Sequence, residues 1–242
     1  MLIKIKENVY FTPCSAETDR PNLGYVRGEK TAIMVDSGNS PAHVQEYYEA
    51  LQKEGLPLPQ YVFLTHHHWD HTFGLASVDD RMVSIAGAKT NEILRQQQQY
   101  VWDKEHLDEY CADNRIPLFC KPHILIEYPD LSKIQIHTAL IEFEDEIQVD
   151  LGGETVVMRH ITSGHTDDCY YLLAENAKVL FLGDGNSEEV IGTEWIDRKE
   201  PLEGLIRELE EIDFEYCLTG HVPVFTKDEL LADLKSRLEA VR

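Results

Sequence analysis

Residues 64–74 read LTHHHWDHTFG, four histidines and one aspartate within the six positions His66 to His71, directly behind the apolar run Tyr61–Leu64. A cluster this dense at the end of a buried-type strand is a surface tract, a biased segment or a metal cradle, and each demands different company elsewhere in the chain. Imidazole suits zinc and other borderline transition metals, while a carboxylate can hold one ion or bridge two. His66 and His68, two apart on extended backbone, project to the same side and can grip one ion together. Asp70 and His71, in the turn that follows, can face a second ion beside the first. His67 has the opposite parity and is expected to point away, into packing or support.

The company exists. Two further apolar runs end in a metal-competent residue, VLFLGD at Asp184 and YCLTGH at His221. Strand ends that converge on one rim are where a rigid scaffold presents chemistry to solvent.

Around these runs the pattern is that of an α/β chain. β-type runs at Val9–Thr12, Tyr25–Arg27 and Thr31–Val35 open it, the last ending in the turn signal Asp36-Ser37-Gly38. Ser40 as N-cap and Pro41 at the first helical position begin a helix expected to run through Lys53, before Gly55 and Pro57. Met82–Ile85 is a further strand, and the Gln-rich stretch from Lys89 to about Asn114 reads as one long helix. Residues 115–135, with Pro117, Pro122 and Pro129, read as a returning loop, so that 88–135 forms an insertion. Its aromatics, Tyr100, Trp102, Tyr110, Phe119 and Tyr128, suit a satellite core or a cover for substrate. Strands near 140–143, 146–150, 154–161, 170–174, 178–182 and 216–218 follow, with helices over about 201–212 and from Thr226, where Glu229 completes a capping box. No Gly/Ser/Pro-rich linker divides the chain and no fixed-period repeat occurs, so residues 1–242 are read as one domain.

Composition removes whole classes of function. Asp and Glu outnumber Lys and Arg by 44 to 22, a formal net charge of −22, which repels phosphate backbones and anionic lipid surfaces. Nucleic acid and membrane partners are not expected; a small-molecule substrate is. No apolar run approaches the roughly 18 residues that span a bilayer, and MLIKIKENVYFTPC lacks the apolar core of a secretory signal, so a cytoplasmic location is expected. The five cysteines, Cys14, Cys111, Cys120, Cys169 and Cys217, are scattered without a C-x-x-C pair and read as free thiols of a reducing compartment. His43, His106, His123, His137 and His160 have no metal spacing and read as ordinary surface or packing residues.

Five motifs in order, VDSG at Asp36, THHHWDH, TSGHTDD at His165, FLGDG at Asp184 and TGHVPVF at His221, resemble the metallo-β-lactamase fold superfamily across nearly the whole chain. The resemblance implies a four-layer αββα sandwich, two mixed sheets face to face with helices outside. It implies His66, His68 and His165 as ligands of a first metal, Asp70, His71 and His221 of a second, and Asp184 as the bridge. Asp36 would support the site from its turn without ligating. The implied cofactor is a pair of divalent ions, zinc by default, with manganese or iron compatible with the same nitrogen and oxygen donors. Such a pair lowers the pKa of bridging water, so the implied activity is hydrolysis by a metal-bridging hydroxide, with Asp70 as the catalytic residue that orients it and passes on a proton.

Departures from better-known subfamilies narrow the substrate. Common class B β-lactamases carry a cysteine where this chain has Asp184, which disfavours penicillins. Glyoxalase II enzymes continue into a helical glutathione-binding domain for which the short stretch after His221 leaves no room. Acyl-homoserine lactonases place a tyrosine where Ser187 stands, a role that Tyr25 or a tyrosine of the insertion would have to fill. Thr166-Asp167-Asp168-Cys169 is also atypical, and its acids are read as tuning His165 or facing water. The expectation is a hydrolase of a small ester-like substrate, lactone, thioester or phosphoester; the alternatives are a mononuclear iron oxygenase of the persulfide dioxygenase type and a non-catalytic, metal-stabilised binding or sensor protein. A homodimer would be compatible with the sequence.

Overall fold

The computed structural model describes residues 1–241. Strands β1 (Ile3–Lys6), β2 (Val9–Thr12), β3 (Leu23–Arg27) and β4 (Ala32–Val35) form an antiparallel meander. Helix α1 (Pro41–Lys53) starts where Ser40 accepts a hydrogen bond from the His43 amide, with Pro41 in the first turn, where no donor is needed. It returns the chain to β5 (Tyr61–Leu64), parallel to β4. After the short helix α2 (Trp69–Thr72), strands β6 (Val83–Gly87) and β7 (Ile141–Phe143) extend the sheet in parallel to seven strands, in chain order. Helices α3 (Ala88–Gln97), α4 (Lys104–Ala112) and α5 (Cys120–Glu127) lie between β6 and β7.

The second sheet begins with the antiparallel strands β8 (Glu146–Asp150), β9 (Thr155–His160), β10 (Tyr170–Ala174) and β11 (Val179–Gly183). A separate hairpin, β12 (Glu189–Ile191) and β13 (Glu194–Ile196), and helix α6 (Lys199–Glu211) precede β14 (Tyr216–Thr219), which pairs parallel to β11. Strand β15 (Phe225–Thr226) and helix α7 (Lys227–Ala240) follow, giving a six-stranded sheet in the order β15-β14-β11-β10-β9-β8. The capping box of Thr226 and Glu229 is formed.

The period of two along each strand builds the layers. In β4, Ile33 and Val35 face the second sheet, while Ala32 and Met34 pack outward beneath Tyr47 and Leu51 of α1 and Leu94 of α3. In β11, Val179 and Phe181 enter the space between the sheets, where Phe63, Ile85, Met158 and Leu172 join them. Leu180 and Leu182 turn outward to Leu205 and Leu209 of α6 and Leu230 and Leu234 of α7. The result is the expected αββα sandwich. Both central strands are apolar on both faces because both faces are covered.

The 88–135 segment departs from expectation. The single helix read over 89–114 is two, because the chain turns at 98–103, where Asp103 caps α4 through the His106 amide and the Tyr110 hydroxyl accepts from the Val101 amide. The expected loop of 115–135 contains α5, with Pro122 in its first turn, a position without an intrahelical donor requirement. Leu107, Tyr110, Ile116, Ile124 and Tyr128 form a satellite core over Trp69 and Phe73, so this segment sits directly on the histidine-bearing turn. The hairpin β12–β13 was not anticipated.

Candidate metal centre

Three strand ends meet at one rim of the sandwich. β5 delivers Thr65 and His66, β11 ends at Gly183 before Asp184, and β14 leads through Gly220 to His221. The Gly220 amide donates to the Gly183 carbonyl at 2.8 Å, and the Tyr170 amide donates to Thr65 O at 2.8 Å, which ties the two sheets together here. Gly220 has to lack a side chain: a Cβ there would lie 1.9 Å from Oδ1 of Asp184.

Seven potential donors fall into two adjoining groups. The ligand atoms of His66, His68 and His165 lie within 4.8 Å of one another, as do those of Asp70, His71, Asp184 and His221. Nε2 of His165 is 2.8 Å from Nδ1 of His68. Oδ2 of Asp184 lies 3.7 Å from Nε2 of His165 and 3.5 Å from Nε2 of His221, so one carboxylate addresses both groups. Oδ2 of Asp70 is 3.0 Å from Nε2 of both His71 and His221. Nε2 of His66, Nε2 of His71 and Oδ1 of Asp184 are buried without a hydrogen-bond partner. Orphaned lone pairs of this kind are costly in a folded chain unless an ion satisfies them, and their nitrogen and oxygen chemistry suits a divalent transition metal.

The surroundings fix which atoms face inward. Asp36, in the left-handed region at φ 61°, accepts from the Thr65 amide at 2.8 Å, from the Thr65 hydroxyl at 3.0 Å and from Nδ1 of His71 at 2.8 Å. With its proton committed to Asp36, the Thr65 hydroxyl oxygen accepts from Nδ1 of His66 at 3.1 Å. One carboxylate thus turns Nε2 of two histidines toward the centre. Nδ1 of His165 likewise donates to Glu188 O at 2.8 Å. His67 points away, as its parity requires, and binds Oδ1 of Asp168 through Nδ1 at 2.8 Å and Oδ2 through its amide at 3.0 Å. Asp168 therefore braces the loop through His67; the expectation that the two acids tune His165 or face water holds for Asp167, which is exposed, and is corrected for Asp168, which is fully buried and bonds His67 and Thr166 instead. Cys169 is buried as well, and burial pushes its thiol far up, away from reactivity.

The protonation pattern is set by how closely imidazoles and carboxylates crowd one another here. Burial, with the adjacent imidazoles adding, holds His66 and His68 well below the usual histidine range. Burial opposes ionisation of Asp70 and Asp184, yet the charges of His71 and His221 outweigh it and keep both carboxyls below the usual carboxylate range. Burial also opposes the charge on His221, but Asp184 and Asp70 push it up to about 9. Protons on His71 and His221 thus balance two carboxylates, a task that divalent ions would take over once they displace those protons.

The donors open into a pocket of about 430 Å³. Its wall contains residues that the sequence left unassigned. Asp19 lines it, at φ 52°, with its carboxyl pushed up to about 7 by burial and by the charges of Asp70 and Asp184. His123 reaches it from α5 with Nδ1 unpartnered, whereas the sequence suggests an ordinary histidine. Phe119, Val190 and Trp195 complete an apolar side. The only forewarning of Trp195 was the alternating EVIGTEWI around Gly192, a hairpin signal. Among the described residues, no tyrosine lines the pocket: the Tyr25 hydroxyl donates to Pro57 O on the outer face of the first sheet, and Tyr110 and Tyr128 belong to the satellite core, so none of them replaces Ser187.

This constellation and the sandwich beneath it define the family. The chain belongs to the metallo-β-lactamase superfamily, whose sequence model matches residues 17–221. Three solved structures share the fold at low identity. DIM-1 metallo-β-lactamase is 18% identical with a TM-score of 0.66, over 99% of this chain and 97% of that one. A metallo-β-lactamase from Pontibacter korlensis is 15% identical with a TM-score of 0.66, over 100% and 99%. TMB-1 is 17% identical with a TM-score of 0.66, over 99% and 97%. Comparison with curated protein sequences gives no match. Among the described residues, no helix is long and apolar enough to cross a membrane.

Proposed function

We propose that this protein is a metal-dependent hydrolase of a small ester-like substrate, with two divalent ions, zinc by default, held in adjoining sites. His66, His68 and His165 would hold the first ion, Asp70, His71 and His221 the second, and Asp184 would serve both. The observation that carries this reading is the sharing of Asp184 between two complete donor groups that open on one pocket. When bound, such a pair supplies Lewis acidity toward a carbonyl or phosphoryl oxygen and water acidified to near neutral pH.

The chain's own groups do the rest. Asp70 lines the pocket as an ionised carboxylate, and in this reading it would orient the water by accepting its hydrogen bond and pass a proton to a leaving oxygen or sulfur. Asp36 and Glu188 O hold the imidazoles that would otherwise rotate. The satellite core over Trp69 and Phe73 covers the turn and keeps bulk water from its back. The full second donor group favours hydrolysis over a mononuclear iron oxygenase.

Elemental analysis of protein purified without chelators is expected to give about two zinc or manganese ions per chain. Asp70→Ala is expected to retain the fold by circular dichroism and to lose at least about a hundredfold in kcat/KM on whichever ester, lactone, thioester or phosphoester the protein turns over. Full activity in that variant, or a single tightly held iron, would sink the proposal.

A further inference from the structure

The proposed function leaves the substrate among lactones, thioesters and phosphoesters, and the pocket wall discriminates between them. Among the described residues, no lysine or arginine lines it. The nearby guanidinium groups are committed elsewhere: Arg20 to Glu127 and Glu46, both at 2.7 Å, Arg198 to Glu189 at 2.5 Å, and Arg237 to Asp197 at 2.5 Å. The titratable side chains that the wall offers beyond the proposed ligands and cysteines are Asp19, an acid, and His123. A phosphoryl group needs cationic or multiple N–H partners for the oxygens that the ions do not take, and beyond the proposed ligands this wall sets against that need the single imidazole of His123, without a lysine or arginine. The formal charge of −22 over the whole chain also slows the approach of anions.

What the wall offers is apolar. Phe119, at the start of α5, and Trp195, on β13, face each other with ring centroids 5.3 Å apart and planes at 42°. Pro117, Val190 and Val222 continue the surface beside them. Trp195 is 52% exposed in the middle of a strand of a two-stranded hairpin, paired with Val190, where nothing in the core requires an indole. The hairpin is nevertheless anchored: the Asn114 side chain donates to Val190 O at 3.2 Å and accepts from the Gly192 amide at 2.7 Å. Hairpin and helical segment therefore form one preformed aromatic wall a short step from the metal-competent groups, and the ordering of these rings is not charged to binding.

We infer that the pocket selects uncharged carboxylic esters, thioesters or lactones carrying an apolar arm, with Phe119 and Trp195 gripping that arm, and that it turns away phosphoesters. The inference rests on the proposed hydrolase reading but is tested apart from it, by binding of unreactive analogues to the zinc-loaded protein. Calorimetry with hexananilide, acetanilide and phenyl phosphate is expected to show hexananilide at least about tenfold tighter than acetanilide, since each added methylene leaves water, with phenyl phosphate weakest. Trp195→Ala and Phe119→Ala should each bring the hexananilide to acetanilide ratio toward one while metal content and circular dichroism stay unchanged. Tightest binding of phenyl phosphate, no binding of hexananilide, or a chain-length preference that survives both substitutions would overturn the inference. Turnover assays on the 4-nitrophenyl hexanoate, acetate and phosphate esters separate the two claims. Hydrolysis of the phosphate alone removes this inference and leaves the hydrolase, whereas the expected anilide ranking with no turnover of any ester removes the hydrolase and leaves the recognition.

Discussion

At the scale of single residues, Asp36 carries more of the site than its distance from the pocket suggests. Its carboxylate holds the Thr65 amide, the Thr65 hydroxyl and His71, and through Thr65 it also sets the ring of His66. Asp36→Asn keeps the shape and the tolerance for positive φ but gives up the negative charge and one acceptor. Zinc affinity, measured by competition with a chelating dye, is therefore expected to fall about 10- to 100-fold while the fold persists. His43 illustrates a different role. It is buried against Gly38, and burial, with Arg20 adding, pushes it down to about 3. The unfolded chain protonates this histidine below about 6.5 and the folded chain does not until about 3, so its stability contribution is complete above 6.5 and is lost as pH falls through that window. In metal-free protein, denaturant titrations between pH 6 and 4 should show stability falling more steeply in the native chain than in His43→Gln, by up to about 1.4 kcal/mol per pH unit. Equal slopes would mean that His43 titrates alike in both states.

At the scale of elements, what could be read from the sequence was what local chemistry decides. Ser40-Pro41 and Thr226 with Glu229 announce helix starts because their hydrogen bonds close within a few residues. The runs around Phe63, Phe181 and Leu218 announce central strands because only a strand covered on both faces tolerates continuous apolar side chains. All seven candidate donors were legible for a related reason: each sits just beyond such a strand or in a loop of uncommon His and Asp content. Asp19 and His123 were not, since each is an ordinary polar residue until tertiary structure brings it to the pocket. The break between α3 and α4 was hidden because Gln96 to Gln99 suit a helix, and it takes Asp103 capping the next one, with the Tyr110 hydroxyl holding the turn, to stop it there. Trp195 reads in sequence as an isolated aromatic in an acidic stretch, and its partner Phe119 lies far away along the chain.

For the molecule as a whole, the donors are divided between the sheets. His66, His68, Asp70 and His71 follow a strand of the first, while His165, Asp184 and His221 belong to the second. Ions bound here would join two layers that otherwise meet through the apolar contacts of Phe63, Phe181 and their neighbours and through hydrogen bonds such as those of Tyr170 to Thr65 and His67 to Asp168. An ion bound only by the folded chain stabilises it by mass action, about 4 kcal/mol at a thousandfold excess over its dissociation constant. Stripping the protein with a chelator is thus expected to lower its melting temperature by roughly 10 °C, and adding zinc should restore it. An unchanged melting curve would show that the donors do not hold metal in the folded state.

The same division has a consequence for how the protein comes into being. A ribosome releases the His66–His71 turn long before His221, so a metal met by the nascent chain would find only part of its donor set. Enclosure waits for β14, nearly the last strand made, to pair beside β11. Metal capture by the complete donor set would therefore mark the end of assembly, and chains that stall before the two sheets dock would be told apart by how readily they surrender any ions they hold.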